Sequence, residues 1–305
     1  MVLPVKIGTR GSPLALWQAN YVADRLRPLV SPRPVELIHI QTEGDRDQSA
    51  SLAHIGGRGV FTKEIERAVL DGRVDVAVHS LKDLPTRPVE GLILAAVPPR
   101  GPTGDAFISH SVARFDDLPP GARVATGSLR RRAQLLHRRP DLQLVDIRGN
   151  VETRLRKLRE AGFDALILAQ AGLERLGLAS AATELLNQVW MLPAVGQGAL
   201  GLQCRTDDAA TRELLQRLDD APTRQAVEAE RALLFHLGAG CQVPLGATGR
   251  VDGDTLTLRA AVLAANGSQR IAAAESGPAN DGAAIGERLA RRLRERGAVN
   301  LIRDV

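Results

Sequence analysis

The stretch from Val74 to Pro85, Val-Asp-Val-Ala-Val-His-Ser-Leu-Lys-Asp-Leu-Pro, constrains the fold more than any other part of the chain. Val74, Val76, Ala77 and Val78 form a short, largely β-branched apolar run, which suits a strand covered on both faces in an α/β sheet. The character then changes abruptly to His79, Ser80, Lys82 and Asp83, and Pro85 stops the strand. Open α/β sheets take their ligands outside the carboxyl ends of the strands. Asp83 is therefore an acid held where such a fold does chemistry, with an ammonium next to it in sequence. Taken alone, the stretch reads equally as a solvated turn. The functional reading gains because other strand ends carry similar polar clusters.

Before this strand, Lys6 to Gly8 closes a first one, and Thr9-Arg10-Gly11-Ser12 leads to Pro13 at the start of a helix. Leu14, Trp17, Tyr21, Leu26 and Leu29 recur at helical spacing, so Arg10 and Ser12 sit at a strand-to-helix turn, where free N–H groups favour anions. Val35 to Ile40 reads as a second strand. Residues 43–59 are polar and glycine-rich, and read either as a flap carrying His54 and Arg58 or as a plain loop. Breakers from Pro98 to Gly104 mark a boundary. Strands at Arg123 to Ala125, Leu142 to Ile147 and Ala165 to Ala169 then alternate with helices, and a second junction occupies Leu192 to Gly198. Ala199 to Cys204 reads as a strand returning to the first domain. Thr255 to Leu263 and Arg270 to Ala274 read as a hairpin, with Ile285 to Arg296 as a closing helix.

The expected division is 1–98 with 199–217, then 104–192, then 220–305. The expected fold class is α/β: two lobes joined by a double crossover hinge with a cleft between them, plus a smaller C-terminal α+β domain. A chain of 305 residues has room for three such cores. No apolar run approaches the roughly twenty residues that span a bilayer. The N-terminal residues lack the layout of a signal peptide, so a cytoplasmic protein with no membrane partner is expected.

Only Lys6, Lys63, Lys82 and Lys157 of the 40 basic residues are lysines, and arginine grips carboxylate or phosphate bidentately. A formal charge of +5 admits nucleic acid, but aromatics at 3% leave few stacking platforms, and no nucleic-acid-binding signature is present. Thr126-Gly127-Ser128 followed by Arg130, Arg131 and Arg132 reads as an anion site at a helix start, with a solvated charge run as the alternative. Arg148 occupies the equivalent place one unit later, and Arg154 lies on the next helix turn. Cys204 falls in an apolar strand and reads as core. Cys241, in Gly238-Ala239-Gly240-Cys241-Gln242-Val243-Pro244, lies in a tight loop where a reactive or modified thiol and an inert one are both open. Two cysteines form neither a disulfide framework nor a zinc site, and no metal is expected.

Six segments together resemble the porphobilinogen deaminase (hydroxymethylbilane synthase) family. They are Gly8 to Ala19, His79 to Pro85, Gly127 to Arg131, Arg148 to Val151, Pro193 to Ala199 and Gly240 to Pro244, in the family's order. The resemblance implies two lobes like type II binding proteins and a third domain. It also implies a dipyrromethane cofactor thioether-linked to Cys241, on which four porphobilinogen molecules are joined head to tail. Each joining releases ammonia, and hydrolysis frees the linear product. By resemblance Asp83 is the catalytic acid, and Lys82, Asp83, Thr126, Ser128, Arg130, Arg131 and Arg148 hold the cofactor. Arg10, Ser12, Gln18, Arg148 and Arg154 would serve the incoming substrate, and Arg175 the growing chain. A monomer is implied, with no nucleic acid as partner. His54 and Arg58 stand where some members have lysines, and Ala239 interrupts a glycine pair. A solute-binding protein would share the two-lobed fold but need neither Cys241 nor Asp83.

Overall fold

A computed structural model describes residues 3–46, 62–238 and 243–303. The chain opens with β1 (Val5–Thr9), α1 (Pro13–Val30), β2 (Val35–His39), α2 (Glu43–Arg46), α3 (Lys63–Leu70), β3 (Val76–Ser80) and β4 (Leu92–Ala96). It continues with β5 (Asp105–Ser109), β6 (Arg123–Ala125), α4 (Leu129–Arg138), β7 (Gln143–Val145), α5 (Val151–Glu160), β8 (Ala165–Ala169), α6 (Gln170–Arg175) and β9 (Glu184–Leu185). It closes with β10 (Leu200–Arg205), α7 (Ala209–Gln216), α8 (Ala221–His236), β11 (Leu245–Asp252), β12 (Thr255–Leu263), β13 (Arg270–Pro278), α9 (Gly282–Glu295) and α10 (Ala298–Arg303).

These elements form two compact units. Unit 1 is Met1–Gly101 with Ala199–Arg224, and unit 2 is Pro102–Gly198 with Gln225–Val305. Unit 1 holds one five-stranded sheet, ordered β2-β1-β3-β10-β4, in which β10 runs antiparallel to both neighbours while β1, β2 and β3 are parallel. Unit 2 repeats the plan as β7-β6-β8-β5-β9, with β5 the antiparallel strand. In each sheet the reversed strand is the first one formed after the chain crosses from the other unit.

The apolar runs explain the layering. Val76 and Val78 of β3 pack with Val22 and Leu26 of α1, while Ala77 packs on the other face with Ile65 and Val69 of α3. The strand is thus buried on both sides, as its unbroken apolar character requires. Sheet β7-β6-β8-β5-β9 is likewise covered twice, by one cluster around Phe107, Phe115 and Val124 and another around Ile108, Ala125 and Leu166. Helix starts are set by side-chain caps: Ser12 accepts from the Ala15 N–H, Ser128 from Arg131, Asn150 from Thr153 and Asp208 from Thr211.

Within unit 2 the C-terminal residues form an antiparallel meander, β11-β12-β13, over α8, α9 and α10. The hairpin expected at β12 and β13 therefore has a third strand, β11, that the sequence conceals. Gly246 and Gly249 interrupt its strand character because the backbone is pressed against its neighbours. A Cβ on Gly246 would lie 2.7 Å from the Leu192 carbonyl oxygen, and one on Gly249 would lie 2.8 Å from that of Ala226. Ala133 of α4, Leu192, and Ala261 and Leu263 of β12 seat the meander on α4 and the segment at Leu192.

Candidate active site

In unit 1 the residues expected from the sequence to form the site stand where β1 and β3 end. Past Ser80 the chain makes a single 3-10 turn, Leu81–Asp83. The turn is pinned from below: Leu81 and Leu84 are buried, the Leu81 N–H donates to the Ala199 carbonyl at 3.0 Å, and the Leu84 N–H to Leu81 at 3.2 Å. Lys82 and Asp83 are left half-buried on its outer side. No hydrogen bond or ion pair reaches the Asp83 carboxylate from the described residues. Gln18 is buried and donates its Nε2 to Ser80 Oγ at 2.8 Å, tying α1 to the end of β3. Ser12 spends its oxygen as an acceptor on the Ala15 N–H at 3.3 Å and keeps its O–H to donate. Arg10 is half-buried beside it.

Beside His79 lie three further buried polar residues, Thr62, Glu66 and Gln203, that the sequence did not single out. Thr62 donates to Glu66 at 3.2 Å, and Gln203 Nε2 donates to the other Glu66 oxygen at 3.3 Å. His79 Nε2 and Gln203 Oε1 have no hydrogen-bond partner among the described residues. Burial pulls the His79 ring down from 6.5 to about 4; the nearby Gln203 amide opposes the shift and Arg10 adds to it. The unfolded chain therefore binds the proton first, and the stability tied to neutral His79 is full above about 6.5 and lost as pH falls through about 4. Replacing His79 with Gln should flatten the pH dependence of unfolding across that window, by up to about 1.4 kcal/mol per pH unit. Chemical denaturation of both proteins at several pH values checks this; parallel curves would assign the titration elsewhere.

In unit 2 the arginine run is no solvated face: Arg130 and Arg131 are only 4% and 6% exposed. The anion they meet is Asp105 at the start of β5. Arg130 Nη1 donates to Asp105 Oδ2 at 2.7 Å, while Arg131 Nε and Nη2 donate to Oδ1 at 3.1 and 2.8 Å. Arg130 Nη1 also reaches the Leu192 carbonyl at 2.6 Å and Arg131 Nη1 that of Ile167 at 3.0 Å. Burial alone would raise the Asp105 pKa, but the two guanidinium groups outweigh it and hold the carboxyl well below the usual range. Two positive charges thus face one negative. Arg130 Nε is buried and has no partner among the described residues.

Thr126 is buried at the end of β6, its Oγ1 accepting from the Ser128 N–H at 3.3 Å, and Ser128 caps α4. Arg148 stands half-buried after β7; its carbonyl accepts from Lys157 at 3.0 Å, and no described residue bonds its guanidinium. Arg154 Nε donates to the Gly149 carbonyl at 2.7 Å, so Arg148, Arg154 and Lys157 share one turn. Arg175, at the end of α6, donates to the Gly198 carbonyl at 2.6 Å. The structure thus places Arg10, Ser12, Gln18, Lys82 and Asp83 in unit 1, and Thr126, Ser128, Arg130, Arg131, Arg148, Arg154 and Arg175 in unit 2. His54, Arg58, Ala239 and Cys241 lie outside the described residues. Cys204 is core as read, and burial pushes its thiol up to about 11, far from thiolate reactivity.

Residues 5–213 match the family model described as porphobilinogen deaminase, dipyromethane cofactor binding domain, and residues 224–295 match the porphobilinogen deaminase C-terminal domain. The chain belongs to the porphobilinogen deaminase family. The porphobilinogen deaminase of Trichlorobacter lovleyi is 51% identical over 301 residues, which cover 99% of this chain and 96% of that one. That of Geobacter sulfurreducens is 49% identical, covering 99% and 94%. Among solved structures, a periplasmic substrate-binding protein of an ABC transporter from Coxiella burnetii is 16% identical with a TM-score of 0.44, covering 76% of this chain and 97% of that one. Membership of this family makes the chain an enzyme, and no described helix is long and apolar enough to cross a membrane.

Proposed function

We propose that the chain is a hydroxymethylbilane synthase, a monomeric cytoplasmic transferase that joins four porphobilinogen molecules head to tail and releases one ammonia at each joining. The full-length family match carries this reading. Acting on small acidic pyrroles, the enzyme uses no nucleic acid. Its three domains are 1–98 with 199–217, 104–192, and 220–305.

The described residues suit a dipyrromethane, which bears several carboxylates. The Asp105 cluster keeps one unbalanced positive charge and an unpartnered buried N–H on Arg130, and a carboxylate answers both. Lys82, Thr126, Ser128, Arg130, Arg131 and Arg148 would hold these groups, through donors that stay charged at any working pH in the case of arginine. When bound, the cofactor supplies a pyrrole with a free α-carbon as primer. Arg10, Ser12, Gln18, Arg148 and Arg154 receive the carboxylates of incoming porphobilinogen, and Arg175 those of the lengthening product. Asp83, whose carboxylate no described residue occupies, accepts the pyrrole N–H, stabilises the cation left when ammonia departs and moves the proton of the joining step.

Cys241 is the attachment point in this reading. A thioether survives reduction and unfolding, unlike a disulfide or a bound ligand. Intact mass spectrometry of reduced, unfolded protein should exceed the sequence mass by two pyrrole units and show further pyrrole-sized steps after brief exposure to porphobilinogen. Cys241→Ser should abolish the whole ladder and Cys204→Ser leave it. A bare sequence mass in protein made with porphobilinogen available would sink the proposal.

A further inference from the structure

Pro193 to Ala199 is a motif to which the mechanism above gives no task. Its backbone and one side chain are nonetheless closely held. The Gly196 N–H donates to Glu230 Oε2 at 2.8 Å, and the fully buried Glu230 uses its other oxygen on the Gly249 N–H, also at 2.8 Å. Between these anchors and the Arg175 bond to Gly198 stands Gln197, which is 1% exposed. Its Nε2 lies 2.9 Å from Asp105 Oδ1, 2.7 Å from the Thr103 carbonyl and 3.2 Å from that of Gly104.

We propose that Gln197 is a positioning residue for the Arg130–Arg131 anion site, acting through Asp105. This rests on the reading that the site takes the cofactor's carboxylates. Three donors converge on Asp105 Oδ1, namely Arg131 Nε, Arg131 Nη2 and Gln197 Nε2, whereas Arg130 Nη1 takes Oδ2. The amide therefore fixes which carboxylate oxygen each arginine receives, and with it the direction of both guanidinium planes. It does so without charge. A carboxylate at this position would cancel the surplus positive charge that draws an anion, and an ammonium would add to the cost of burying it. Only a neutral donor holds Asp105 still and leaves the net charge of the cluster unchanged.

The test uses full-length apo-protein, incubated with porphobilinogen and followed by intact mass for the rate at which the two-pyrrole adduct appears. Gln197→Leu, which keeps the volume and removes the donor, should load at least about tenfold more slowly, the scale of one lost hydrogen bond to a charged group. Gln197→Glu adds a readout that a packing role would not move. Protonated, its acid donates to Asp105; ionised, it repels Asp105 and cancels the surplus charge. Its loading rate relative to the native chain should therefore fall about tenfold or more between about pH 6 and about pH 9. Loading of both variants at the native rate, with a flat ratio across pH, overturns the proposal. So does failure of both to yield folded protein, which would make Gln197 structural. A native chain that gains no adduct would instead overturn the function on which the proposal rests.

Discussion

Asp105→Ala is expected to cost about 3–5 kcal/mol of stability, because it leaves two buried guanidinium groups without their carboxylate. Set against a total of roughly 5–15 kcal/mol for a folded domain, that removes from about a fifth to all of it. The shift is read from the urea midpoint. The size of the loss comes from charge rather than volume, which a companion variant separates. Asp105→Leu combined with Arg130→Met and Arg131→Met removes all three charges at similar bulk, and replacing a buried ion triad by apolar residues is often neutral or better. The triple variant should thus recover most of the stability while losing cofactor loading. A single Asp105→Ala variant within about 1 kcal/mol of the native midpoint would show that another group balances the arginines.

The second large effect is the reverse case. Asp83→Asn should lower turnover by roughly a hundredfold or more, the usual contribution of a positioned acid–base group. Stability should stay within about 0.5 kcal/mol, since the carboxylate makes no bond to the described residues and the turn hangs on Leu81 and Leu84. Asparagine keeps the shape and one acceptor oxygen but neither holds a cation nor takes its proton. Steady-state kinetics and thermal melting of the same preparation decide it. Near-native turnover would remove Asp83 from the mechanism. The two aspartates stand at opposite extremes: Asp105 is spent on the fold, whereas Asp83 makes no bond to the described residues.

This contrast also shows where sequence reading succeeds and where it stops. Strand ends were legible because parallel strands buried on two faces leave an unbroken apolar run, as at Val76 to Val78 and Ala165 to Ala169, and any polar cluster that follows must lie at the rim. The turn at Thr9 to Ser12 was legible through Pro13, which suits the first position of a helix. Asp105 was not, because it opens a strand directly behind the Pro102 and Gly104 breakers and its partners lie 25 and 26 residues on. Nor could α4 betray the burial of Arg130 and Arg131, since a triple arginine run has no apolar face. The strand β11 was hidden by the glycines that its crowded setting demands. Gln197 lay inside a segment that was noticed, but an amide announces no partner until the fold brings one within 3 Å.

The place of β10 has a consequence for how the molecule is made. Residues 200–205 sit between β3 and β4 and bond to both, so the first sheet lacks an interior strand until two-thirds of the polypeptide has left the ribosome. The strands of the second α/β sheet, by contrast, all lie between residues 105 and 185 and can pair while the first waits. During synthesis, β3 and β4 each present an open edge for the time it takes to translate roughly a hundred further residues, several seconds at ordinary elongation rates. Open strand edges template pairing with other chains. A product cut short before residue 200 keeps both edges for good, so premature termination in the second third of the message yields an aggregation-prone fragment rather than a truncated enzyme.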